Sequence, residues 1–161
     1  MLIIPMVKKQ TDHCSEHLKA TKEKFKVLLK NILGVFDMTI EGIEFINSCL
    51  DELKIPFEFK EWTSNVPDTY WVTDYLEVES MNEDGMEEST FILTGNTVKS
   101  KMELESVKDK VKRYFGNEGI TAILPSGAGI AVSFSTGNYI PSVDHSVHRL
   151  EINLEVKEWK V

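Results

Sequence analysis

Apolar and polar residues alternate through residues 70–78, break at Asn82-Glu83-Asp84-Gly85, and alternate again through residues 89–97. A period of two on both sides of a glycine-containing turn predicts a β-hairpin. The period then changes. Behind Ser100, the apolar positions Leu104, Val107, Val111, Tyr114 and Phe115 recur at helical spacing, Glu103 completes a capping box, and Gly116 stands where a helix ends. Strand, tight turn, strand and capped helix in that order describe antiparallel α+β architecture, not a nucleotide-binding βαβ wind.

Similar patterns place the other elements. Residues 15–33 read as an amphipathic helix with Leu18, Phe25, Leu28, Leu29 and Ile32 on one side and five lysines elsewhere, stopped by Gly34. A second helix begins after Thr39, carries Ile40, Ile43, Ile46, Leu50 and Leu53 on a stripe widened by Phe45 and Cys49, and ends at Pro56. Phe57, Phe59 and Glu61 then alternate with Glu58, Lys60 and Trp62 as a strand, and residues 64–68 form a loop. Residues 120–124 and 130–134 flank Pro125-Ser126-Gly127-Ala128-Gly129 as a hairpin. In the last strand His148, Leu150, Ile152, Leu154 and Val156 face the core while Arg149, Glu151, Asn153, Glu155 and Lys157 face water. From Met38 the expected fold is therefore α+β in the order αβββαβββ, with an antiparallel or mixed sheet and helices on one face. Residues 1–37 are expected as a basic helical extension before a single domain at 38–161.

A length of 161 residues suits one well-packed domain. No apolar run approaches the roughly 20 residues of a membrane helix, and the apolar opening lacks the leading positive charge and length of a signal peptide. The expectation is a cytoplasmic protein without a membrane partner. Cys14 and Cys49 fit no C-x-x-C spacing and read as reduced thiols. Charge is divided unevenly: in residues 1–37, seven lysines against four acids give +3, leaving −11 for the remainder of a chain of net charge −8. An acidic body argues against tight nucleic-acid binding, which needs clustered Lys and Arg against phosphates.

Candidate chemistry is sparse. His13-Cys14-x-x-His17 places imidazole and thiol on one helical face but offers no fourth zinc ligand nearby, and a solvated helix start accounts for it. Asp144, His145 and His148 contain an acid and bases that a hydrolytic site with Glu151 or Asp74 would use, yet no nucleophile signature accompanies them. Ser126-Gly127-Ala128-Gly129 lacks the lysine of a phosphate loop and precedes a strand, so it reads as a turn. The acidic ridge of Glu77, Glu79, Glu83, Asp84, Glu87 and Glu88 does not match calcium-loop spacing; it reads as a solvated or partner-facing hairpin. No cofactor or metal site is expected. Trp62, Tyr70, Trp71 and Trp159 suit either sheet-edge packing or a subunit interface.

Taken in order, Tyr70-Trp71-Val72, the run from Gly85 to Gly95, the helix over residues 102–115, Gly127-Ala128-Gly129-Ile130-Ala131 and the ending at residues 152–161 resemble the tail-terminator and tail-completion (minor tail) proteins of long-tailed phages and prophages. The resemblance covers residues 38–161; the first 37 depart from it. It implies a non-enzymatic structural subunit that assembles as a homo-oligomeric ring, usually of six copies, at the end of the tail tube and joins it to the head connector. The implied partners are tail-tube and head-connector proteins, and the implied location is the cytoplasm during assembly and then the virion tail. The expected assembly surface comprises Glu77, Glu79, Glu83, Asp84, Glu87, Glu88, Trp71 and Trp159. A competing reading is a small-molecule-binding α+β module with Trp62, Tyr70 and Trp71 lining a cavity; a third is a hydrolase using His145 and His148.

Overall fold

A computed structural model of the chain describes residues 38–63, 65–78, 85–144 and 146–160, and the fold is that of the unit Phe36–Val161. The predicted helix at residues 15–33 and the basic extension lie outside the described residues. Two helices, α1 (Ile40–Glu52) and α2 (Lys101–Phe115), accompany six strands: β1 (Phe57–Phe59), β2 (Thr69–Val78), β3 (Met86–Thr97), β4 (Ile120–Ile123), β5 (Gly129–Ile140) and β6 (His148–Trp159). The strands form one mixed sheet in the order β1-β2-β3-β6-β5-β4, in which only β1 and β2 run parallel. This is an α+β fold with both helices on one face.

Alternation along each strand separates the two faces. Phe91 and Leu93 on β3, Leu150, Ile152, Leu154 and Val156 on β6, and Ile130 and Val132 on β5 are buried together with Ile46, Cys49 and Leu50 of α1 and Leu104, Val111 and Phe115 of α2. Burial of this continuous apolar layer supplies the main drive to fold. Val107, expected on the buried stripe, is half-buried and packs at its margin. The Thr39 hydroxyl caps α1 by accepting from Gly42 N at 3.0 Å, and the Ser100 hydroxyl caps α2 by accepting from Met102 N at 3.2 Å. Glu103, expected to complete a capping box, instead reaches across to accept from the Thr69 hydroxyl and so ties α2 to the start of β2.

Three strand boundaries differ from the sequence pattern. β1 stops at Phe59, although alternation continues to Trp62, because Lys60 adopts a positive φ of 65° and turns the chain away. β5 runs on to Ile140, well beyond the expected end at Phe134, through a bulge between Phe134 and Thr136 that re-registers it against β6. β6 continues to Trp159, which carries its buried face one position further, to Glu158.

Candidate functional site

The face of the sheet opposite the helices carries the chemistry. Here Tyr70 on β2 stands in register with Asn96 on β3, Arg149 on β6 and Ile140 on β5; the next row is Val72, Thr94, Glu151 and Asn138. Neither α1 nor α2 covers this face. Leu76 is 60% exposed on it, and Ile92 and Thr90 are half-buried.

Two open depressions meet at Arg149. One, of about 590 Å³, runs over Lys60, Trp62, Val66, Tyr70, Val72 and Asn96; the other, of about 400 Å³, lies among Lys101, Tyr139, Asp144 and His148. Trp62 and Tyr70 pack against each other with ring centroids 5.4 Å apart and planes tilted by 56°. Lys60 pairs with Asp74 at 3.4 Å. Arg149 Nε is buried with no hydrogen-bond partner among the described residues. The sequence pattern marks Arg149 only as a wet-face residue, because alternation reports which face a side chain occupies and not what it meets there.

Trp71 requires a correction. It was expected on the assembly surface and as a cavity wall beside Tyr70, but it is 0% exposed and lies on the helix side of the sheet. Neighbouring strand residues point to opposite faces, so Tyr70 and Trp71 cannot share a wall. Its ring covers Gly95 directly across the strand pair, where a Cβ would come within 2.6 Å of the indole.

The acidic ridge is divided. Glu87 and Glu88 are engaged within the sheet, Glu87 with Lys160 and Glu88 with Lys157 at 3.8 Å, and Lys157 also meets Glu155 at 2.9 Å. These acids therefore hold β3 and β6 together as well as facing solvent. The side chains of Glu77, Glu79, Glu83 and Asp84 lie outside the described residues. Trp159, 39% exposed, closes β6 beside Met86 and Gly129, at the same end of the sheet.

The remaining candidates are placed as follows. The Asp144 carboxylate accepts from Ser146 N and Oγ at 2.8 and 2.7 Å, bonds that hold its pKa below the usual value and build a turn before β6. His148 opens β6 beside it and lines the same depression, whereas Asp74 lies on β2 and Glu151 lies further along β6, where it accepts from Asn153 at 3.2 Å. His145 lies outside the described residues, as do His13, Cys14 and His17. The Ser126 amide, in the segment read as a turn and not as a phosphate loop, donates to the Glu41 carboxylate at 3.1 Å. Burial pushes the Cys49 thiol up, away from reactivity. Among the described residues no three His, Cys, Asp or Glu side chains group as metal ligands would, and no helix is long and apolar enough to cross a membrane.

One ionisable group escaped the sequence reading. Glu158 is 2% exposed beneath the start of α1, where its carboxylate accepts from Thr39 N and Thr39 Oγ1, each at 3.2 Å. A carboxylate at a helix N-terminus is favoured by the unpaired amides and the helix dipole. Burial nevertheless raises its pKa, the Thr39 bonds opposing the shift in part. The signal was present: Glu158 is the next member of the series Leu150, Ile152, Leu154, Val156.

Compared with known proteins, the chain matches no family model and no curated sequence.

Proposed function

We propose that the protein is a structural subunit that works by self-association and contact with other proteins through the open face of its sheet, as a tail-terminator or tail-completion protein of a long-tailed phage or prophage does. The observation that carries the assembly part of this reading is the open face itself. Strands of 10 to 12 residues present half-buried Tyr70, Val72 and Ile92 and exposed Leu76 among charged neighbours on a face that neither α1 nor α2 covers. An extended surface mixing aromatic, aliphatic and Arg side chains is the composition of a protein interface. The phage assignment is supported by the ordered resemblance over residues 38–161. In that setting the −11 body suits a ring around a mobile duplex, since it repels phosphates instead of holding them.

Solution mass across a concentration series tests the reading. The expected result is growth from monomer to a single closed ring, with Ile92→Arg at the centre of the open face shifting the transition to higher concentration while leaving the fold intact. A chain that stays monomeric alone and with tail-tube protein overturns it.

A further inference from the structure

We propose that copies of this chain join head to tail by strand addition, the outer edge of β2 in one copy pairing with the outer edge of β5 in the next; the proposal rests on the self-association reading and names the contact between successive copies. Each outermost strand of the sheet is shorter than the strand it pairs with. β1 reaches β2 only from Trp71 to Thr73, so residues 74–78 of β2 have no outer strand among the described residues. β4 reaches β5 only from Gly129 to Val132, and beyond the bond from Phe134 N to Gly116 O at 2.9 Å, residues 135–140 have no outer strand among the described residues. Both stretches are accessible: Leu76 is 60% exposed, and Ser135, Thr136 and Asn138 are exposed. A strand edge accepts another strand unless charge or proline blunts it, and residues 135–140 contain neither.

Charge tells the two edges apart. α2 flanks the β5 edge with lysines: Lys101 Nζ lies 5.4 Å from the Tyr139 ring centroid, Lys112 Nζ lies 5.7 Å from that of Phe134, and Lys108 covers Gly137, where a Cβ would come within 2.8 Å of its Cδ. Lys108 pairs with Glu105, while Lys101 and Lys112 have no carboxylate partner among the described residues. The β2 edge is acidic, since Glu77 and Glu79 follow Tyr75 at alternate positions of the sequence. A cationic edge and an acidic edge attract each other and repel their own kind, so β2 meets β5 and not a second β2. Contact between two different surfaces propagates from copy to copy. The basic residues 1–37, with seven lysines against four acids, have the wrong sign to cover the β5 edge in place of a second copy.

Direction and register follow from the sheet. Three antiparallel pairings separate β2 from β5, so a copy that continues the sheet with its faces aligned offers β2 antiparallel to β5. Trp71 N and Thr73 O bond outward, to Pro56 O and Lys60 N, and alternation then points the backbone of Tyr75 and Glu77 outward. On β5 the bulge between Phe134 and Thr136 leaves Gly137 and Tyr139 pointing outward. Setting Tyr75 against Tyr139 and Glu77 against Gly137 brings an acid to the glycine that Lys108 covers, and places Leu76 opposite Asn138 on the open face.

The test uses the full chain carrying Cys14→Ser, with either Leu76→Cys or Asn138→Cys added. Mixed in equal amounts under mild oxidation, the two variants should form a disulfide-linked dimer at least roughly ten-fold faster than either alone, because opposed positions of an antiparallel pair lie within disulfide reach. Glu77→Lys in the Leu76→Cys copy should slow the reaction, and Lys108→Glu in the Asn138→Cys copy should restore part of the rate. Equal rates in the mixture and alone, the result also expected if a segment of the same chain covers either edge, overturn the proposal, as does a Glu77→Lys mixture that reacts as fast as its parent. Solution mass separates the two readings: a chain that assembles without the mixed disulfide loses the edge contact alone. A chain that forms the disulfide and assembles regardless of Ile92→Arg keeps the edge contact and loses the open face as its interface.

Discussion

At the scale of single residues, the contact between Gly42 and Glu158 sets the position of α1. A Cβ on Gly42 would lie 1.8 Å from Glu158 Oε1, so the helix approaches the sheet this closely only because the position is glycine. Gly42→Ala should therefore destabilise the domain by about 1 to 3 kcal/mol by overpacking, although Ala ordinarily gains about 1 kcal/mol over Gly inside a helix. Urea denaturation decides the sign, and a stabilised variant refutes the contact. Glu158 also predicts an inverted pH dependence. Its folded pKa lies above the ordinary value of 4.5, so the folded state favours the protonated acid. The group's stabilising contribution is complete below that ordinary value and is lost as pH rises through the raised one. Wild-type stability measured relative to Glu158→Gln should accordingly fall across that interval, opposite to the behaviour of a salt-bridged carboxylate. A flat difference between the two proteins contradicts the burial argument.

Elements show where periodicity is a sufficient guide. The α2 stripe was legible because spacings of three and four, a Ser cap and a closing glycine agreed, and the helix begins and ends where they place it. Periodicity ranks its members less well, since Val111 is 0% exposed while Val107 sits half-buried at the edge of the same stripe. Val111→Asp should abolish cooperative unfolding, because an unpaired buried carboxylate costs several kcal/mol against a total of roughly 5 to 15. Val107→Asp should leave a cooperative but lowered melt, its carboxylate reaching solvent. Thermal melts that rank the two variants in the reverse order would reassign the buried face. The strands taught a different lesson. β5 and β6 are each longer than alternation suggested, because a bulge in one and a carboxylate in the buried face of the other interrupt the pattern without interrupting the ladder.

At the scale of the whole molecule, surface charge predicts behaviour toward DNA. With −11 outside the first 37 residues, the full chain should fail to retard duplex DNA even at low salt, where phosphate contacts are strongest. Retardation that weakens steeply with added salt would show that the basic extension governs the surface. The sequence alone determined the element order after Met38, the two helix caps, the buried positions of the last strand and the sign of the body charge, because each follows from neighbours within a few residues. Tertiary structure decided the rest. The strand order brings β3 beside β6 and so sets Asn96 against Arg149, residues 53 apart in the chain. The pleat sends Tyr70 to the open face and Trp71 beneath Gly95, although one peptide bond separates them. Which acids find lysines and which carboxylate is buried depend on residues that meet only when distant strands pair, and local periodicity carries no record of such meetings.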